Sequence, residues 1–325
     1  MKKLRTMIVA GAVTLALALT GCGGGGTSAN SAADGKLEKT SIKVGSLPLA
    51  DYAALYWAKE KGGSSTRRAS ASRSFRSRAG RSASSRSPPA SWTSPTPPPF
   101  GTSMAADSGL PIKTVVLTSA LADGGLGIFV KPDSSIQSMA DLNGKSLGIN
   151  TTRNMGDITF KNLATAKGLN VTPNWVEVPF AEMVTGVQAG SIEAGYMPEP
   201  FASAARKAGL RQVADLTEGP NKGLAASDYV ASDKFIKANP DTTAAFARAM
   251  YASGADLKNN ESALRQWLPS IAKVSPPDVA QQMPMPTYYD AFHMDEYTKA
   301  VDIVKAQGLV KPAYNAADHV WQPSK

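Results

Sequence analysis

The chain has 325 residues, 42% of them hydrophobic, with a formal net charge of +9 and a single cysteine. That length supports a sizeable core and about two domains, at roughly 100 to 200 residues each. One cysteine excludes an intramolecular disulfide framework, and the excess of positive charge raises the question of a nucleic acid or an anionic membrane.

Taken in chain order, "MKKLRTMIVAGAVTLALALTGC" opens with Lys2, Lys3 and Arg5, continues in an apolar run and ends in small residues. This pattern predicts a secretory signal over residues 1–21, too short to span a membrane comfortably. Its end, Leu19-Thr20-Gly21-Cys22, resembles the lipobox of bacterial lipoproteins, in which cleavage leaves the cysteine as the lipidated first residue. Cys22 is therefore the expected lipidation site, and residues 22–40, rich in Gly, Ser and Ala, read as a flexible tether.

From residue 41 the language is that of an α/β protein. "SIKVGSL" predicts a strand and "ADYAALYWAKEKG" a helix ending at Gly62. Residues 63–103 then break the pattern with 13 Ser, 7 Arg, 6 Pro and no acidic residue. Such a composition buries too little apolar surface to offset its ordering entropy, so as written it is expected to be disordered. The basic signal and this segment together carry the excess charge, which leaves the rest of the chain close to neutral.

Ser, Arg, Pro, Ala and Thr are what a GC-rich gene yields when read one base out of register. Displaced by one base, Ala90–Thr96 can encode Glu-Leu-Asp-Phe-Thr-Tyr and Ser64–Ser70 can encode Phe-Phe-Asp-Ala-Ala-Gly-Leu. The segment thus has two readings, a frameshifted stretch or a true basic insert.

Beyond it, "PIKTVVLTS" and "GIFV" read as buried strands, placing a first lobe over residues 41–130. "KSLGIN", "WVEV" and "IEAGYM" are strands, each followed by a helical stretch, which predicts a second lobe over residues 131–224 with parallel construction. "AASDYVAS" returns to the first lobe, and helices fill residues 225–325. Asn239 and Pro240 form an expected helix start.

The stretches "VGSLPLADYAALYWAKEKG", "SMADLNGKSLGIN" and "VQAGSIEAGYMPEPFA" resemble the substrate-binding proteins of nitrate, sulfonate, taurine and pyrimidine-precursor ABC importers. The likeness covers most of residues 41–310. It implies the two-lobed periplasmic-binding-protein type 2 fold: an α/β chain with doubly wound sheets joined by a hinge, and a helical C-terminal tail. Family members continue with Phe-Phe after Lys-Gly and later carry Glu-Leu-Asp-Phe, the strings that the displaced frame permits.

The resemblance implies a lipid-anchored receptor on the extracytoplasmic face of the cell membrane. It would bind a small ligand (sulfonate, nitrate, taurine or pyrimidine-like) between its lobes and deliver it to an ABC transporter permease. No cofactor, metal or nucleic-acid partner is expected. In this architecture ligands lie where strand ends meet helix starts. Thr151, Thr152, Arg153 and Asn154 are the first candidates, read either as an anion cradle or as a helix cap.

Asp51 and Tyr52 follow the first strand. Asp51 and Glu199 each read as a cap or as a cleft acid, and a cleft acid at position 51 suits a ligand with N–H or O–H donors. Ser119, Phe180, Met197 and Tyr229 fall near expected strand ends and read as pocket lining or core. With His293 and His319 the only histidines and no nucleophile or phosphate-loop motif, no enzyme is expected. The alternatives are an enzyme of pyrimidine-precursor metabolism on the same fold, and a lipoprotein whose basic arm binds a polyanion.

Overall fold

The computed structural model describes residues 37–47, 49–60, 98–271 and 276–323. The signal-like start, Cys22, most of the tether and residues 61–97 lie outside the described residues, and so do the readings that rest on them.

Two sheets organise the chain. The first has the order β7-β1-β8, with β1 Ile112–Ala120, β7 Ala225–Ser232 and β8 Thr287–Tyr288, all antiparallel. The second has the order β4-β3-β5-β2-β6, with β2 Leu126–Val130, β3 Ser146–Ile149, β4 Asn174–Glu177, β5 Ala194–Pro198 and β6 Arg211–Asp215. Its β4-β3-β5 half is parallel, as the strand-helix alternation predicts, because helices return the chain to the same end each time. Strands β2 and β6 extend it antiparallel.

Strand β2 corrects one expected boundary. "LGIFV" was placed in the first lobe, but it pairs with β5 and β6, so the chain passes between sheets at residues 121–125. A fully buried five-residue apolar run reports burial on both faces and says nothing of which sheet it joins. The segment 41–47, expected as a strand, belongs to no sheet among the described residues, although Val44 and Ser46 are buried in strand-like alternation.

Helices α1 Ala53–Glu60 and α2 Pro99–Asp107 belong to the first lobe. The second of these overturns the expectation of disorder for residues 98–103. Pro99 takes the first helical position, where its missing N–H costs nothing, and Phe100 is fully buried. In the second lobe α3 Met155–Ala166 follows β3, α4 Phe180–Ala189 follows β4, and α5 Phe201–Lys207 follows β5.

The remaining helices are α6 Asp233–Ala238, α7 Pro240–Asn259, α8 Glu261–Ile271, α9 Pro277–Gln282 and α10 Met294–Ala306. Helix α7 packs on α1 and β1. Gly254 permits this packing: a Cβ there would collide with the Tyr289 carbonyl oxygen, so only a bare backbone lets the helix come so close.

The start of α7 is not capped by Asn239, whose side-chain N–H donates back to the Phe235 carbonyl instead. The cap comes from Glu38, some 200 residues earlier. Its carboxylate accepts the Asp241 amide at 2.9 Å, the Thr242 amide at 2.8 Å and the Thr242 hydroxyl at 2.7 Å. Burial opposes its charge, and these hydrogen bonds outweigh burial, holding the Glu38 carboxyl at about 2.

Candidate functional site

Two stretches carry the chain between the sheets, residues 121–125 from β1 to β2 and residues 216–224 from β6 to β7, and they run side by side. The Leu121 amide donates to the Leu224 carbonyl at 2.8 Å and the Gly124 amide to the Thr217 hydroxyl at 2.9 Å. Lys222 pairs with Asp123 at 3.2 Å. Two adjacent crossings with few cross-links form a hinge, and the faces that the lobes turn towards one another form the candidate site.

On the first lobe the site is built on the turn Ala50–Tyr52. Tyr288 donates its hydroxyl to the Ala50 carbonyl at 2.8 Å, and Ser119 and Ser227 donate theirs to the Asp51 carbonyl at 3.4 Å each. The turn is thereby fixed to all three strands of the first sheet. Leu49, not Asp51, occupies the cap position, and it makes no side-chain cap bond. Asp51 instead lies in the first turn of this short helix.

Asp51 is half-buried, and its carboxyl is raised to about 7, first because it loses water and second because Glu199 lies within electrostatic reach. Its charge is also felt by Tyr196 of β5 and Tyr288 of β8, both buried phenols held well above their ordinary range, first by burial.

Glu199 resolves the other way. Its carboxylate accepts the Ser203 amide in the first turn of α5 at 3.1 Å and the Arg206 guanidinium at 2.8 Å. Burial pushes its carboxyl up while Ser203 and Arg206 pull it back. Arg206 also donates to the Gly124 carbonyl in the hinge at 2.7 Å and to Gln212 at 3.0 Å, and lies over the Phe129 ring. Glu199 is at once a helix-start acid and one end of a tie to the hinge.

The loop of residues 151–154 stands between β3 and α3, as expected, but its polar groups are occupied. The Thr152 amide and hydroxyl donate to Glu177 at 2.9 and 3.1 Å, and the Thr151 hydroxyl donates to the same oxygen at 3.4 Å. The Arg153 and Asn154 amides donate to Asp157 at 2.7 and 2.8 Å, completing a capping box in which Asn154 is the cap. Arg153 holds a left-handed φ of 55°, and its guanidinium rests 3.7 Å from Met104 on α2 of the first lobe.

Phe180 stacks on Phe201 at 5.3 Å and leans on Tyr196 at 5.9 Å, so the three rings form one aromatic group in the second lobe. Met197 is enclosed by Met183, Val187 and Phe129 and is core. Tyr229 is core as well: Tyr52 and Phe246 meet its ring edge-on and its hydroxyl bonds Ser46 at 3.2 Å, so Tyr52 also points inward. Sequence reasoning missed Tyr196, Ser227, Tyr288 and Arg206. Tyr196 alone had a local signal, lying three residues before Glu199 in the same strand-end motif.

This arrangement is the periplasmic-binding-protein fold. The structure of the periplasmic aliphatic sulphonate binding protein SsuA from Escherichia coli matches with a TM-score of 0.65 at 16% identity, covering 89% of this chain and 94% of that one. The periplasmic nitrate-binding protein NrtA from Synechocystis PCC 6803 matches with a TM-score of 0.68 at 16% identity, covering 88% and 87%. The desulfurization enzyme DSZB matches with a TM-score of 0.62 at 12% identity, covering 86% and 95%. The NMT1/THI5-like family model matches residues 99–262, and the chain belongs to that family. Comparison with curated protein sequences gives no match.

Proposed function

We propose that this protein is a solute receptor: a lipid-anchored, extracytoplasmic protein that closes its two lobes on a small ligand and presents it to an ABC importer permease. The observation that carries the reading is the pair of adjacent interlobe crossings, residues 121–125 and 216–224, bonded to each other side by side. A ligand held by both lobes is bound more tightly in the closed form, so it shifts the population towards closure. Two solved structures with the same fold are a periplasmic aliphatic sulphonate binding protein and a periplasmic nitrate-binding protein. Lipidation at Cys22 supplies the anchor.

The test is a thermal-shift panel of sulfonates, nitrate, taurine and pyrimidines, followed by small-angle scattering with whichever compound raises the melting temperature. A smaller radius of gyration on binding is expected, and an unchanged radius with a bound ligand would count against closure. Loss of fatty-acid labelling in Cys22→Ala tests the anchor. Sequencing the gene across codons 61–106 tests the displaced frame, which is expected to end before Pro99, because residues 99–103 fold as helix.

Catalysis on this fold, as in the desulfurization enzyme, is the second reading. In this chain His293 sits by Asp290 at 3.9 Å and Tyr289, and His319 stacks on Tyr314, so both histidines are engaged within the C-terminal segment. Turnover of a bound compound would favour it.

A further inference from the structure

The two crossings between the lobes are not anchored evenly along their length. Arg206 of α5 donates to the Gly124 carbonyl at 2.7 Å, and the Glu199 amide, just past β5, donates to the Gly125 carbonyl at 3.0 Å. The Gly124 amide donates to the Thr217 hydroxyl at 2.9 Å, and Thr217 is itself fixed by Asp215 of β6, which accepts its amide at 2.8 Å and its hydroxyl at 2.6 Å.

Asn221 does the same for the second crossing. It is fully buried, and its side chain donates to the Thr159 carbonyl of α3 and to the Leu216 carbonyl at 2.9 Å each while accepting from the Asn162 side chain at 2.8 Å. The N–H groups and the carbonyl of a buried amide are thus satisfied on the second-lobe side, and breaking them apart without water would be costly.

At the other end the crossings belong to the first lobe. Strands β1 and β7 pair as far as Ala120 and Ala225, and the Leu121 amide extends that pairing by donating to the Leu224 carbonyl at 2.8 Å, with both leucines buried. Between the anchored ends lie Ala122 and Asp123 on one crossing and Lys222 and Gly223 on the other. Among the described residues, no hydrogen bond from either lobe reaches the backbone of Ala122, Asp123 or Gly223. Lys222 is where the parts meet: its exposed ammonium pairs with Asp123 at 3.2 Å, and its carbonyl accepts from Lys299 of α10 at 2.6 Å. Gly223 holds a left-handed φ of 66° with open space where a Cβ would stand.

A domain rotation is absorbed where the backbone is tied by the fewest bonds, and a glycine there admits φ values closed to other residues. Resting on the receptor reading above, we propose that the lobes pivot on Ala122–Asp123 and Lys222–Gly223 alone, while residues 124–125 and 216–221 travel with the second lobe as one rigid body. The fulcrum then lies against the first sheet, and Gly124 and Gly219, left-handed as well, are locked turns.

The experiment places pairs of nitroxide spin labels on the full chain carrying Cys22→Ala and reads distance distributions without ligand by pulsed double electron resonance. The label sites are exposed: Ala252→Cys on α7 of the first lobe, Thr185→Cys on α4 of the second, and Glu218→Cys on the second crossing. The Ala252–Thr185 pair reports motion between the lobes and should be broad. The Glu218–Thr185 pair should give one narrow distance, and the Glu218–Ala252 pair a wider one. Gly223→Ala should shift the Ala252–Thr185 distribution. Gly168→Ala, at a left-handed glycine with φ of 67° and equally open surroundings, should leave it unchanged, and the melting curves of both variants report folding.

A broad Glu218–Thr185 distance beside a narrow Glu218–Ala252 one would overturn the pivot and leave the receptor reading standing. So would a lobe-to-lobe distribution indifferent to Gly223→Ala. An Ala252–Thr185 distance as narrow as the Glu218–Thr185 one would overturn the pivot together with the lobe motion it serves.

Discussion

A half-buried carboxylate with no hydrogen-bond donor among the described residues makes stability depend on pH in a direction opposite to the usual one. Asp51 is raised from 3.8 to about 7, so the folded state holds its proton where the unfolded chain has already lost it. Its contribution is fully present below pH 4 and is lost as pH rises through 7. At roughly 1.4 kcal/mol per unit, Asp51→Asn should stabilise the unliganded protein at pH 8 by on the order of 2 to 4 kcal/mol and change little at pH 4. Urea titrations at the two pH values measure this, and an equal effect at both would refute it.

Arg206 poses the reverse case. Replacing it with Met leaves Glu199 buried beside no cation and frees the Gly124 carbonyl in the hinge. The expected loss is about 2 to 3 kcal/mol, reduced from that of a fully buried pair because Arg206 is partly exposed. The double variant Arg206→Met with Glu199→Gln should recover part of it, as read from a double-mutant cycle.

Among the elements, α7 carries two constraints that local sequence does not announce. Gly254→Ala would drive a methyl into the Tyr289 carbonyl, and the expected cost is about 3 kcal/mol or failure to fold, against a slight gain on helix propensity alone. Glu38→Ala removes the acceptor for two amides and one hydroxyl at the start of that helix and should cost about 1 kcal/mol. The Glu38 carboxyl lies below its ordinary value, so its contribution is present above pH 4.5 and is lost as pH falls towards 2. Acid titration of the two proteins should therefore converge at low pH.

The same elements show how much the sequence told. The β3, β4 and β5 strands with their helices were legible because each unit carries its own periodicity and its own stop, such as Gly168 just past α3. The loop at residues 151–154 was legible as a strand-to-helix turn, but Glu177 and Asp157, which occupy its amides, are two acids among many until the fold brings them there. The partnership of Glu38 with α7 and that of Arg206 with Gly124 join residues 203 and 82 positions apart, and no pattern of local spacing encodes such pairs.

For the whole molecule the hinge sets the terms of ligand exchange. Besides the Asp123–Lys222 pair, the C-terminal helix crosses it: Lys299 donates to the Lys222 carbonyl at 2.6 Å, and Gln307, just past α10, donates to the Ile158 carbonyl on α3 at 3.0 Å. Opening the lobes strains these bonds. Gln307→Ala should speed ligand release several-fold in stopped-flow measurements, with little change in the melting temperature of the unliganded protein, since one such hydrogen bond contributes about 1 kcal/mol.

The Glu38 clamp also decides how the protein bears force. A pull on the chain ahead of Leu37 meets first the three bonds between Glu38 and the start of α7. That helix lies along the first lobe against α1 and β1, so the load enters a packed helix and stops there. The first resistance to such a pull is thus a carboxylate at a helix start, and it weakens in acid as Glu38 takes up its proton.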